Sequence, residues 1–155
     1  MKKIKSVLLI FSLIFNFVLV YIFMLKGEVS APDASGRVAI TLSEGNRDFV
    51  LAEMRGFLVT VQQINQGLAE NNPDKIIKAA QVSGHATTEK VPTSLMKALP
   101  VGFKSLGMDT HHQFDEIARA VQERYQPQEV QQRLSKVLNN CISCHSAYKF
   151  EIQHD

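Results

Sequence analysis

Cys141-Ile142-Ser143-Cys144-His145 sets two thiols and an imidazole within little more than one helical turn. C-x-x-C-H is the pattern through which a chain attaches a c-type haem. On a helix, positions i, i+3 and i+4 share a face, so Cys141, Cys144 and His145 can meet one planar macrocycle together. The thiols would add to the haem vinyl groups as thioethers while His145 ligates the iron from the proximal side. Two other chemistries use such residues. A thioredoxin-type pair belongs beside a βαβ pattern, whereas Gln126 to Glu151 reads as one helix. A structural zinc site needs four ligands, and Cys141 and Cys144 are the only cysteines in the chain. The motif therefore points to one covalently held haem c.

The opposite end decides where that haem sits. Lys2, Lys3 and Lys5 precede Val7 to Leu25, an apolar run of 19 residues interrupted only by Ser12 and Asn16. At ~1.5 Å per residue it approaches the thickness of a bilayer core, which favours a spanning helix over the shorter apolar region of a signal peptide. The lysines should remain cytoplasmic and the rest should face outward, in a Gram-negative cell into the periplasm. Residues 1–26 are accordingly read as an inner-membrane, single-pass anchor in the lipid bilayer. Val29-Ser30-Ala31 keeps the alternative open, since it resembles a cleavage site that would release the protein into the periplasm.

Charge divides the same way. The formal +2 arises from the leader, because Gly27 onward carries 13 basic and 15 acidic side chains. No basic stripe with interleaved aromatics lies outside the leader, so nucleic acid is excluded as a partner. Residues 27–36, with Pro32, Asp33, Ser35 and two glycines, read as a short tether. Residues 37–155 suffice for one domain.

That domain reads as all-α. A cap at Thr41 or Ser43 opens a first helix to Glu70, with Val50, Met54, Phe57, Val61, Ile64 and Leu68 at spacings of four and three. Asn72-Pro73 starts a second, which ends near Gly84. His85 to Met108, broken by Pro92, Pro100 and Gly102, reads as a long connection with a short helix at Ser94 to Leu99. A third helix spans Thr110 to Tyr125. The fourth starts at Pro127 and carries Val130, Leu134, Val137, Leu138, Cys141, His145 and Tyr148 along one stripe. Sustained period-two alternation is absent, so no sheet is expected.

Four helices, one long crossover and a haem motif in the last helix resemble the class II c-type cytochromes, the group of cytochrome c′ and its low-spin relatives. The resemblance covers nearly all of residues 37–155. Its specific part is Cys141 to Tyr148, where the family has C-x-x-C-H-x-x-[YF]-R; Lys149 replaces that arginine and lacks its planar fork. Glu53-Met54-Arg55, Ile64, Gly67-Leu68 and Ala79-Ala80 are similar to the first two helices of the low-spin branch, and Phe103-Lys104 and His111 echo its third. The resemblance implies an antiparallel four-helix bundle with covalently bound haem. Class II cytochromes often dimerise through their first two helices, which admits a homodimer here.

In such a bundle the first helix faces the distal side of the haem, and two residues compete for the position above the iron. Met54 would supply a thioether and a six-coordinate iron suited to electron transfer. Leu51, one turn earlier, would leave the iron five-coordinate and open to carbon monoxide or nitric oxide, as in cytochrome c′; Met54 would then be a core filler. Tyr148 packs against haem or helix. His111, at the edge of the inward face, could approach the haem edge or replace methionine as a ligand, but with His112 it reads first as a surface residue at a helix start; His85 reads as a helix-end residue and His154 as part of a frayed tail. Met96 and Met108 read as packing residues of the irregular connection, and Leu134, Val137 and Leu138 as the lining of the haem pocket.

Nothing resembles a catalytic triad, a phosphate loop or a paired-carboxylate site, so the chain is not expected to be an enzyme. The expected function is a membrane-tethered monohaem carrier exchanging electrons with redox protein partners at the membrane. A gas-binding module is the second reading, and a haem-bearing sensor or structural domain the third.

Overall fold

In the computed structural model the described residues are 2–25 and 27–153, without the side chains of Lys2, Lys3 and Met24. The Met1 and Lys26 ends of the anchor reading and the His154-Asp155 tail lie outside them. The chain is mostly helical. Helix α1, Lys2–Val20, runs into a π-helical turn, Tyr21–Leu25. Ile4–Phe23 is long and apolar enough to cross a membrane, and none of it is buried against the rest of the protein. A signal sequence would share that length and composition.

After strand β1, Val38–Leu42, come α2, Glu44–Ala69, and α3, Pro73–Val82. A 3-10 turn at His85–Lys90 leads to α4, Thr93–Ala98, then α5, Val101–Glu123, α6, Pro127–Ala147, and strand β2, Tyr148–Ile152. Local chemistry sets the helix starts. Ser43 Oγ accepts from the Asn46 N–H to cap α2, and Asn72 Oδ1 accepts from the Lys75 N–H to cap α3, with Pro73 in the first turn. Between α2 and α3 the chain turns through Asn71 at φ 51°, a left-handed conformation that asparagine tolerates well. Gly67 lets the two helices approach, because a Cβ there would fall 2.6 Å from Ile76 Cγ1.

Helices α2, α3, α5 and α6 share one core, built from Ile64, Ile76, Phe114, Ile117, Val130, Leu134 and Val137. Each such side chain contributes about 1.5–3 kcal/mol on burial. A second core gathers Ile40 and Leu42 of β1, Val50, Leu95, Leu99 and Phe103, with Met54, Cys144, Tyr148 and Phe150 packed against it.

Three expectations are corrected. A sheet exists: β1 and β2 pair in parallel, Val38 opposite Tyr148 through Leu42 opposite Ile152. Its signal is only five residues long, Tyr148, Phe150 and Ile152 alternating with Lys149 and Glu151, too short for a pattern search across the chain. For the same reason the last helix stops at Ala147 instead of continuing to Glu151. The third long helix begins at Val101, about two and a half turns before Thr110, because Pro100 occupies its N-cap and Gly102 its first turn; both residues are tolerated there and break helices only in the interior. Met96 accordingly lies in α4 and Met108 in α5, the latter 40% exposed.

Residues 27–36 are fastened to the body. The Glu28 N–H donates to the Ala98 carbonyl and the Glu28 carbonyl accepts from the Thr41 N–H, each at 2.8 Å. Asp33 accepts from the Ser35 and Arg37 backbones and pairs with Lys149 Nζ at 3.2 Å. Its carboxyl is held well below the usual range, chiefly by the Ser35 hydroxyl and then, against the effect of burial, by Lys149 and the two backbone N–H groups. Lys149 thus ties this segment to β2 and also pairs with Glu151.

Candidate haem-binding cleft

Helix α6 packs on α5, α5 on α3 and α3 on α2, which leaves α2 and α6 as the two walls of a cleft. A first lobe lies between them, open to solvent. Val50, Glu53, Met54 and Phe57 of α2 form one wall, Phe103, Leu106, Gly107 and Thr110 of α5 the floor, and Asn140, Cys141, Cys144 and His145 of α6 the other wall. Each set follows helical spacing of i, i+3, i+4 and i+7 or its close equivalent. A second lobe shares Met54, Phe103, Cys144 and His145 with the first and adds Arg37, Leu51, Tyr148, Lys149 and Phe150. The lining of both lobes is predominantly apolar.

The motif residues are therefore brought together with Met54. Leu51 borders only the second lobe, whereas Met54 lies in both. Tyr148 also borders the second lobe; its ring meets Phe103 edge-on at 5.6 Å between centroids. Its backbone N–H donates to the Cys144 carbonyl, which closes α6 just after the motif. Gly102 leaves space for its hydroxyl, since a Cβ there would lie 2.5 Å from Tyr148 Oη.

The thiols are half-buried. Burial raises Cys141, and burial together with the nearby Cys141 pushes Cys144 up to about 11. A disulfide-exchange pair works through a depressed thiol, the opposite of this environment. Among the described residues no group of three or more His, Cys, Asp and Glu side chains is placed to hold a metal ion by itself. A half-buried apolar cleft with two thiols and an imidazole along one wall has the donors that a thioether-linked macrocycle requires, so the residues fit a haem.

Some expected liners stand elsewhere. Leu134 and Val137 are buried in the core shared by the four helices, and Leu138 is 42% exposed, so none of the three lines the cleft. They fall on neighbouring parts of the α6 surface, where a stripe read by eye merges the core face with the cleft face. His85 is exposed at the start of the 3-10 turn, its backbone N–H bonded to Asp115 Oδ2 at 2.9 Å.

His111 is the largest relocation. With α5 starting at Val101 it lies mid-helix and is buried, while His112 stays exposed. His111 Nδ1 is 2.9 Å from the Ser83 carbonyl, which can only accept, so Nδ1 carries a proton. Phe57 stands against its ring, centroids 5.0 Å apart. Glu53, its partner on α2, lines the first lobe of the cleft, so the pair lies directly behind one cleft wall. Seen from the sequence, Glu53 is merely the residue before Met54; only the true start of α5 brings His111 opposite it.

The chain matches no family model, no curated protein and no solved structure.

Proposed function

We propose that the protein is a membrane-anchored, periplasmic monohaem c-type cytochrome that carries electrons between redox partners at the membrane, its haem domain a four-helix bundle of the class II type. The observation that carries this reading is the convergence of Cys141, Cys144, His145 and Met54 on one apolar cleft. Covalent haem c supplies one-electron iron chemistry. Cys141 and Cys144 would hold it as thioethers, and His145 and Met54 would be the residues that ligate its iron. Phe103, Val50 and Phe57 keep water from the ring, which together with thioether ligation raises the potential relative to a second imidazole. Arg37, beside the second lobe, offers a cation to the carboxylates of the macrocycle. The chain acts as a carrier and not as an enzyme.

Retention of the anchor is favoured by the bonds that residues 27–30 make. Cleavage after Ala31 would strip Ala98, Ala39 and Thr41 of the backbone and side-chain partners that Glu28 and Ser30 supply. The competing distal residue, Leu51, borders the second lobe and defines the gas-binding alternative.

The test is the optical and electron paramagnetic resonance spectrum of the full chain, oxidised and reduced, beside Met54→Ala. A low-spin protein that turns high-spin in the variant supports His145/Met54 ligation. A protein already high-spin and reactive with carbon monoxide overturns it in favour of gas binding, and a purified chain without covalent haem overturns both.

A further inference from the structure

The end of the membrane span is gripped by the soluble domain. Ile4–Phe23 is the apolar span, so Phe23 stands where hydrocarbon gives way to headgroups. Lys104 Nζ donates to the Phe23 carbonyl at 2.8 Å, and Lys97 Nζ lies 4.9 Å above the Phe23 ring. Terminal carbonyls of a helix lack partners within it and carry partial negative charge, so an ammonium group is the natural cap. Just beyond, Gly27 passes so close to Pro100 that a Cβ would sit 2.8 Å from its Cα, and the Glu28 N–H bonds Ala98. The exit from the span is therefore pressed against the corner between α4 and α5.

We infer that this corner, with Lys97, Pro100, Val101 and Lys104, is a second membrane-contact surface that seats the domain on the phospholipid headgroups of the leaflet where the span ends. The inference rests on the reading of the leader as a retained anchor and is independent of the haem. Two cations fixed to Phe23 cannot leave headgroup depth, where phosphate is the anion at hand. Each ammonium has three donors, and the single Phe23 carbonyl satisfies one of those on Lys104. Val101, half exposed in the first turn of α5 beside Pro100, is an apolar side chain placed to enter the interface. Tyr21, exposed one turn before the end of the span, occupies the level at which aromatic side chains collect in membranes.

The chain contains no tryptophan, so Val101→Trp gives a single reporter. The full chain, its leader verified by mass, is placed in phosphatidylcholine nanodiscs with and without phosphatidylglycerol, and the fluorescence is quenched with lipid brominated either near the headgroup or in mid-chain. Severalfold stronger quenching by bromine near the headgroup is expected, enhanced by phosphatidylglycerol and reduced when Lys97→Glu and Lys104→Gln are added. Absence of quenching by either lipid overturns the surface, and quenching indifferent to the lysine substitutions overturns the role of the headgroup contact. Far-ultraviolet circular dichroism certifies the folded state of each variant, and Lys97→Glu alone, at an exposed site, repeats the test without touching Lys104. A seated domain without haem, or a haem protein that is not seated, separates this inference from the proposed function.

Discussion

His111 and Glu53 join α5 to α2 behind one wall of the cleft, with Nε2 3.5 Å from Oε1 and Nδ1 held by the Ser83 carbonyl at 2.9 Å. Burial alone would lower the histidine pKa, but the Glu53 carboxylate and the carbonyls of Ser83 and Gly84 outweigh it and hold the folded value above the ordinary 6.5. The stability supplied by the imidazolium is thus complete below pH 6.5 and is lost as pH rises through the folded value. Denaturant midpoints should fall over that window in the parent chain. In His111→Gln the slope should vanish, with a loss of about 1–3 kcal/mol on the acid side from the unmade contact to Glu53.

Attachment of the macrocycle should divide between the two thiols. In Cys141→Ser or Cys144→Ser alone one thioether remains, and haem should stay with the chain through acidified-acetone extraction. The double variant should lose it entirely. A chain that keeps extractable haem in all three forms would show that neither sulfur is bonded.

Gly102 and Tyr148 should be coupled. Gly102→Ala drives a methyl to within contact of Tyr148 Oη and should cost about 1–3 kcal/mol, as overpacking does. Adding Tyr148→Phe removes the obstructing oxygen and should restore most of the loss. A double variant no more stable than Gly102→Ala would place the strain elsewhere.

Acid should act through α5 and α6. Arg119 holds the Glu116 carboxyl down at about 2, with Arg133 of α6 assisting from 3.3 Å. Because the folded value lies below the ordinary 4.5, the contribution is present above 4.5 and disappears as pH falls through about 2. Glu116→Gln should flatten that limb of the unfolding profile. The effect at neutral pH should be no more than about 1 kcal/mol, the scale of exposed ion pairs.

Much of the site is legible in the chain because it is written in helical spacing. Val50, Met54 and Phe57 mark the α2 wall, and Cys141, Cys144 and His145 the α6 wall. The floor escapes, although Phe103, Leu106, Gly107 and Thr110 are spaced just as regularly, because Pro100 and Gly102 look like breakers until they are placed in a first turn. That one boundary also misplaces His111, whose neighbours are settled by packing between helices and by no local pattern. Strand β2 escapes for another reason: five residues with a partner 110 positions away carry too little local signal.

That partnership has a consequence for how the protein is made. Pairing Val38 with Tyr148 closes a loop of about 110 residues, an entropic toll of about 4 kcal/mol by the logarithmic law for flexible chains. Contacts so distant form slowly, and β2 follows the haem motif without a break. Until that pairing forms, Cys141 and Cys144 belong to an end of the chain that β2 does not yet hold. The sheet is thus a late catch, in which the strand that directly follows the two thiols closes on the strand that precedes α2.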